Sequence, residues 1–356
     1  MIETVATEPL QLVTPGGTRV PGAELPDPPS ETLAWLYEEM VVTRDLDTEF
    51  VNLQRQGELA LFASCRGQEA AQVGAASALR KTDWMFPQYR ELGAFLVRGI
   101  PPSQLAAMWR GRWHGGLGFA ERHCAPISIP IATQALHAVG AAMAAQRLGE
   151  DSVTVAFLGD GAMSEGDSHE ALNTAAVFGA PCVFFVQNNQ WAISVPVSHQ
   201  QAGPSIAHRA IGYGMPGIRV DGNDVLACYA VMNQAVARTR AGGGPSLIEA
   251  VTYRMGPHTT SDDPTRYRSD DELRHWEALD PIGRYRTYLD SIGILTPRVA
   301  DRISARSQRL RTELRESVLS TPDPDISEVF DTVYADIPDS LARQRDALAD
   351  ELRWEA

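Results

Sequence analysis

"VTVAFLGDGAMSEGD" (Val153–Asp167) is followed closely by "CVFFVQNNQWAIS" (Cys182–Ser194). Each opens on a nearly unbroken apolar run and ends in small or polar groups. Asp160 stands between two glycines in the first, and Asn188 and Asn189 stand together in the second. Continuous rather than alternating apolarity is what a strand covered on both faces requires, and such strands belong to parallel sheets. Helical stretches at Thr133–Leu148 and around Glu165–Phe178 precede the two runs. The pattern predicts an α/β fold, a parallel sheet with helices on both faces.

The alternation continues beyond the pair. Gly217–Val220 and Ser246–Val251 are strand-like, with a helix over Val225–Thr239 between them. Upstream, Ser30 is placed to cap a helix running to Gly57, and the alanine-rich Gln68–Leu79 predicts a second, closely packed one. Residues 1–30 are rich in proline and glycine and lack periodicity, so they are expected to form an extended N-terminal arm, mobile or laid across a partner. Residues 31–356 then make a single α/β domain with a C-terminal helical extension, Pro297–Leu319 and Ser340–Trp354. The loop Tyr253–Glu272 is too long and polar to be a mere connector.

The chain has 356 residues and a net charge of −14 distributed along its length. That balance argues against nucleic acid or an anionic membrane as partner, since both reward clustered Lys and Arg. Cys65, Cys124, Cys182 and Cys228 are dispersed, with no CxxC pair, which points to a reducing compartment rather than a disulfide framework or zinc site. No apolar run reaches the ~18 residues of a membrane span, and the N-terminus lacks the pattern of a signal peptide. A cytoplasmic location is the expectation.

In a doubly wound sheet, ligands bind beyond the carboxyl ends of the strands. Asp160 and Asn189 both fall there, 29 residues apart, the length of one βαβ unit. A carboxylate and an amide oxygen, with a backbone carbonyl, suit magnesium, which is often shared with phosphate oxygens. Gly159 and Gly161 allow backbone amides close approach to an anion. A GDG alone is equally an ordinary tight turn with a capping aspartate; pairing with NN one unit later makes a magnesium-bridged diphosphate the stronger reading. A phosphohydrolase using Asp160 as nucleophile is the alternative of another class. It calls for a non-glycine residue before the aspartate and an acid two positions after it, where this chain has Gly159 and Ala162. A non-catalytic scaffold would have lost Asp160, Asn189 or His258, and all are present.

With GDG and NN go PQYRELG (87–93), ISIPIATQ (127–134), RVDGND (219–224) and RMGPHTTSDDPTRYRS (254–269). Together these resemble the alpha subunit of the thiamine diphosphate-dependent decarboxylating component of 2-oxoacid dehydrogenase complexes. The resemblance implies the thiamine diphosphate-binding fold. Asp160, Asn189 and the Trp191 carbonyl would hold Mg2+, and Tyr89, Arg90, Gly159, Gly161, Ala162 and Arg254 would contact the cofactor. Ile131 would pack on its pyrimidine ring, and Ser128, Pro130, Thr133 and Gln134 match a K+ site of branched-chain relatives. His258 would assist the covalent chemistry, moving protons as acyl passes to lipoyl. Implied partners are a beta subunit, in an alpha-two-beta-two heterotetramer that supplies an activating glutamate, and the lipoyl domain of the acyltransferase component. The substrate would be a 2-oxoacid, branched-chain such as 3-methyl-2-oxobutanoate, with pyruvate and then acetoin as alternatives.

Departures from the family are few. Gln187 stands where some branched-chain members carry a diphosphate-binding arginine, Trp191 replaces Tyr or Phe, and Ile129 replaces a serine facing substrate. Thr259 follows His258 where some relatives carry a regulatory phosphoserine. Of the remaining candidates, His114, His123 and His169 are expected to be ordinary surface or loop residues, and Trp109 and Trp113 to pack.

Overall fold

A computed structural model of the chain describes residues 5–22, 28–111, 118–322, 325, 327–331 and 333–355. Trp113 and His114 lie outside the described residues, as do parts of the arm. In chain order the elements are α1 (Ser30–Arg55), α2 (Glu69–Ser77), β1 (Trp84–Phe86), α3 (Leu92–Val97), α4 (Pro102–Trp109), α5 (Thr133–Leu148) and β2 (Thr154–Gly159). Next come α6 (Gly166–Phe178), β3 (Cys182–Asn188), β4 (Trp191–Ala192), β5 (Val195–Pro196), α7 (Arg209–Gly212), β6 (Gly217–Asp221), α8 (Val225–Arg238) and β7 (Ser246–Val251). The chain finishes with α9 (Asp270–Glu277), α10 (Pro281–Ser291), α11 (Pro297–Ser320), α12 (Glu328–Asp331) and α13 (Asp339–Glu355).

The central sheet has strand order β1-β2-β3-β7-β6, every neighbouring pair parallel. Successive side chains point to opposite faces, and the apolar runs sort accordingly. Val155, Phe157, Val183 and Phe185 join the core beneath α1, α2, α8 and α10. Ala156, Leu158, Phe184 and Val186 join the core beneath α5 and α6. Each such fully buried large side chain contributes about 1.5–3 kcal/mol relative to exposure. The alanines of α5 and α6 (Ala135, Ala138, Ala142, Ala171, Ala175) are all buried in that second core, which lets the two helices lie close to the sheet. Register sets Gly159 beside Gln187, and Asn188 beside Val251. The carboxyl ends of β2, β3 and β7 therefore sit side by side.

Element ends differ slightly from the sequence expectation. Ser30 is not a cap: it is the first residue of α1, and Pro29 occupies the cap position without a side-chain bond. The Pro29 carbonyl accepts from Thr32 N at 2.8 Å and Leu33 N at 3.0 Å, so the rigid proline pair starts the helix itself. α2 is also shorter at each end than Gln68–Leu79 suggests.

Residues 5–22 of the arm are held by the chain's own sheet edge. Leu10 bridges Val220 in parallel, with Leu10 N on Arg219 O at 2.9 Å and Asp221 N on Leu10 O at 3.0 Å. Leu12 and Val13 are buried in the first core. Asp224 is the fastener. Its Oδ1 caps α8 through Leu226 N and Ala227 N, both at 3.1 Å, and its Oδ2 accepts Leu12 N and Val13 N, both at 2.7 Å. Burial pushes this carboxyl's pKa up, while the Arg284 guanidinium and the backbone donors oppose that rise. No helix among the described residues is long and apolar enough to cross a membrane.

Replacing Asp224 by Ala leaves several buried amides and the Arg284 guanidinium short of an acceptor. The expected loss of stability in equilibrium urea unfolding is about 3–5 kcal/mol, with faster tryptic cleavage at Arg19 in the native state.

Candidate active site

At the carboxyl ends of β2, β3 and β7 lies a cavity of about 420 Å3, within the range of small-ligand sites. Its walls bring together Tyr89, Arg90, Ile131, Gly159, Asp160, Gly161, Ala162, Asn189, Trp191, Arg254 and His258. Ser128, Pro130, Thr133 and Gln134 lie outside this lining, the first two before α5 and the last two in its first turn.

β2 ends at Gly159, and Asp160 leads into a 3-10 turn over Gly161–Ser164. Glu165 is extended, so α6 starts at Gly166 rather than directly behind the GDG. A Cβ on Gly161 would lie 2.7 Å from Ala192 Cβ, which makes glycine obligatory while the turn packs on the β4–β5 hairpin. Asp160 is buried. Its Oδ1 accepts Asn189 N at 3.3 Å and its Oδ2 accepts Gln200 Nε2 at 2.7 Å. Burial raises its pKa, and the Gln200 and Asn189 hydrogen bonds oppose that rise. Asn189 Oδ1 accepts Trp191 N at 3.2 Å, and its Nδ2 donates to Gln68 Oε1 at 3.3 Å. Every one of these oxygens retains a lone pair for a cation. No cluster of three or more His, Cys, Asp or Glu ligands occurs among the described residues. A cation here would be held by one carboxylate plus amide and carbonyl oxygens, which suits a hard ion shared with a ligand's own oxygens.

The Trp191 carbonyl is turned by strained backbone. Gln190 has φ 74° and Ile193 φ 55°, a left-handed conformation that is a genuine outlier for a β-branched residue. Such positions cost about 1–3 kcal/mol each and cluster at functional sites. Trp191 O accepts Arg254 Nη1 at 3.1 Å, so the third expected metal-binding oxygen already has one partner.

Opposite the carboxylate stand two buried guanidinium groups, Arg90 (4% exposed) and Arg254 (1% exposed). Arg90 donates to Ser64 O at 2.7 Å and His258 O at 2.8 Å. Arg254 donates to Ile193 O at 2.7 Å and to the Tyr267 hydroxyl at 3.0 Å, and its Nε has no partner. These partners are carbonyls and a phenol rather than carboxylates, so both cations keep much of their demand for an anion. Burial first, then neighbouring Arg90, lowers Arg254 to about 10. Tyr89 lies against Arg90, whose guanidinium carbon is 5.5 Å from the ring centre.

His258 Nδ1 faces Arg90 Nη2 at 3.1 Å and Arg254 Nη1 at 3.4 Å. Two donors assign it as acceptor, which puts the ring proton on Nε2. Burial, then Arg90 and Arg254, lowers His258 to about 4. Its backbone N donates to Asp262 Oδ2 at 2.7 Å, and the same oxygen receives the Tyr267 hydroxyl. His258 is therefore neutral at physiological pH and presents an Nε2–H hydrogen-bond donor.

Sequence reasoning missed a buried polar network behind the cavity. Glu91 Oε1 accepts Gln88 Nε2 at 2.9 Å and Gln187 Nε2 at 2.8 Å, and Gln72 Nε2 reaches Gln187 Oε1 at 3.0 Å and Arg90 O at 2.8 Å. Gln187 thus turns into this network to brace the Tyr89–Arg90 segment. Burial raises Glu91 to about 7. Gln200 and Gln68 were missed as well; they are isolated polar residues with no spacing relation to either motif. Trp109 both packs on Phe62 and lines the cavity. His169 is exposed beside Tyr213, and His123 lies against Trp84. In the ISIPIATQ segment, Ser128 Oγ donates to Pro130 O at 3.2 Å. Gln134 Nε2 holds Phe157 O at 2.8 Å while its buried Oε1 has no partner.

The sequence model of the family described as "Dehydrogenase E1 component" matches residues 37–327. The chain is 69% identical to the 3-methyl-2-oxobutanoate dehydrogenase subunit alpha of Mycobacterium tuberculosis (strain ATCC 25618 / H37Rv), over 99% of this chain and 96% of that one. It is 38% identical to the pyruvate dehydrogenase E1 component subunit alpha of Staphylococcus aureus (strain Mu50 / ATCC 700699), over 95% of this chain and 91% of that one.

Two measurements check the electrostatics. With its pKa lowered to about 4, His258 should show no NMR titration from pH about 8 down to about 5; a transition near 6.5 would refute the assigned surroundings. Glu91, raised from 4.5 to about 7, contributes stability that is full below pH 4.5 and lost as pH rises through about 7. Glu91→Gln should remove that dependence, so the ligand-free variant gains stability relative to wild type between pH about 5 and about 8. Parallel stability curves across that range would show that Glu91 does not titrate there.

Proposed function

We propose, since this chain belongs to the dehydrogenase E1 component family, that it is the alpha subunit of a branched-chain 2-oxoacid dehydrogenase, with 3-methyl-2-oxobutanoate as substrate. The observation that carries the reading is the convergence of Asp160, Asn189, Arg90 and Arg254 on one cavity, in a chain 69% identical to a relative named for that acid. The residues fit thiamine diphosphate, the cofactor the family implies. Buried guanidinium groups lack carboxylate partners, a glycine cradle admits backbone close to an anion, and a buried carboxylate keeps free lone pairs.

Bound there, thiamine diphosphate supplies the electron sink that decarboxylation requires. Asp160, Asn189 and the Trp191 carbonyl would hold magnesium; that carbonyl can accept Arg254 and a cation together. Arg90, Arg254 and Tyr89, with the backbone at Gly161 and Ala162, would bind the diphosphate, and Gly159 would leave room beside it. Ile131 would pack on the ring system, and Leu61, Trp109, Ile129 and Ile193 give the cavity an apolar lining suited to an aliphatic acyl group. His258, with its ring proton on Nε2, would offer a hydrogen-bond donor to an oxygen of the bound ligand and would be the side chain placed to assist proton movement during acyl transfer to a lipoyl domain.

Ile129 and Ile131 are 57% and 42% exposed at the mouth, which supports closure of the site by a beta subunit in an alpha-two-beta-two assembly. The unpartnered Gln134 Oε1 supports potassium binding with Ser128, Pro130 and Thr133. The dispersed thiols support a cytoplasmic setting, and Thr259, on the cavity wall, is open to regulation. Pyruvate is the second reading, carried by the 38% identical relative.

The test is co-expression with the beta partner and comparison of 3-methyl-2-oxobutanoate with pyruvate, using an artificial electron acceptor. Preference for the branched acid is expected; preference for pyruvate would overturn the substrate and keep the chemistry. Asp160→Ala should abolish the rise in melting temperature given by thiamine diphosphate with magnesium.

A further inference from the structure

Asp160 and Trp191 stand on different pieces of chain. Asp160 follows β2, while Trp191 belongs to the β4–β5 hairpin beyond β3. A metal that takes an oxygen from each requires the two pieces to keep a fixed separation; Asn189 links them at one end, through its N on Asp160 and its Oδ1 on Trp191 N, and Gln200 ties Asp160 to the far strand of the hairpin. Its Nε2 donates to Asp160 Oδ2 at 2.7 Å and to Val195 O at 3.0 Å. Val195 pairs with Ala192 in the hairpin that carries Trp191. Both neighbours are acceptors, so the nitrogen must face them and the amide orientation is settled chemically. Gln200 Oε1 points elsewhere and has no protein partner.

The backbone makes the same junction. Gln200 O accepts Ser164 Oγ at 3.3 Å, in the 3-10 turn that follows Asp160. Next to it, Gln201 Oε1 accepts Arg209 Nη2 at 3.2 Å, and Arg209 also donates to Met163 O in that turn. The segment after β5 thus lies as a strap over the Asp160 turn, with Gln200 as its inward tooth.

We propose that Gln200 is a positioning residue for the metal site: by bonding Asp160 Oδ2 and Val195 O together, it fixes the carboxylate relative to the hairpin that presents the Trp191 carbonyl. This rests on the reading of Asp160 as a magnesium ligand. Gln200 offers the carboxylate a donor and is not itself a ligand. Its removal leaves every ligand in place but lets them diverge, so metal affinity falls while the chemistry at full occupancy does not.

The experiment uses the assembled alpha–beta complex. Magnesium is titrated calorimetrically at fixed thiamine diphosphate for wild type, Gln200→Ala, Gln200→Leu and Asp160→Ala, with unfolding of each ligand-free complex followed in parallel. Both Gln200 variants should need about 10- to 100-fold more magnesium for half-saturation, the range typical of groups that orient metal ligands. Turnover should return to near wild type at saturating magnesium. Unchanged half-saturation would overturn the inference. Loss of turnover that magnesium does not restore, or a fall in the unfolding midpoint, would assign Gln200 to the fold instead. Wild-type magnesium dependence in Asp160→Ala would bring down the metal reading itself, a result distinct from failure of Gln200 alone.

Discussion

The parallel register of β2 against β3 is the constraint on which the site depends. Gly159 lies beside Gln187, so the residues that follow each strand leave the sheet at the same level and Asp160 meets the Asn189 amide. A strand alternates faces with period two, and a one-residue slip would exchange every buried side chain for its neighbour. Phe157 and Leu158 face separate cores, as do Phe184 and Phe185. The burial of those four side chains on opposite faces is therefore also what holds a carboxylate next to an amide beyond the carboxyl ends of the strands.

The second organising feature is the cost of burying charge. Arg90 and Arg254 are almost fully withdrawn from water, and their hydrogen bonds go mainly to carbonyls. Such groups are tolerated when the remainder of the fold over-determines them, and they favour anything that brings negative charge. The same two cations suppress protonation of His258. One arrangement thus concentrates positive charge without carboxylate partners at the cavity and keeps the nearby imidazole neutral.

Much of this was legible in the amino-acid sequence, for identifiable reasons. Strands buried on both faces leave unbroken apolar runs, and motifs at their ends are local, so β2, β3 and the Asp160–Asn189 pair could be placed from spacing alone. The PQYRELG and His258 segments were connected to that pair through family resemblance; spacing offered no link. Gln200, Gln68 and the Glu91 network were invisible because each acts across a distance in sequence through one or two hydrogen bonds, with no periodicity and no unusual composition. The start of α1 was misjudged by one residue because the proline pair, rather than the Ser30 hydroxyl, sets its first turn. In the arm, composition carried no sign that Asp224, about two hundred residues away, gathers the Leu12 and Val13 amides.

That arm has a further consequence. β6 is the last strand of the sheet, and Leu10 occupies part of the hydrogen-bonding edge it would otherwise present. An open edge is a template for addition of a strand from another molecule. Leu10 therefore takes up part of the border to which such a strand would add. A shortened chain beginning at Ser30 would keep every residue that lines the cavity, yet leave bare the stretch of the β6 border that Leu10 occupies.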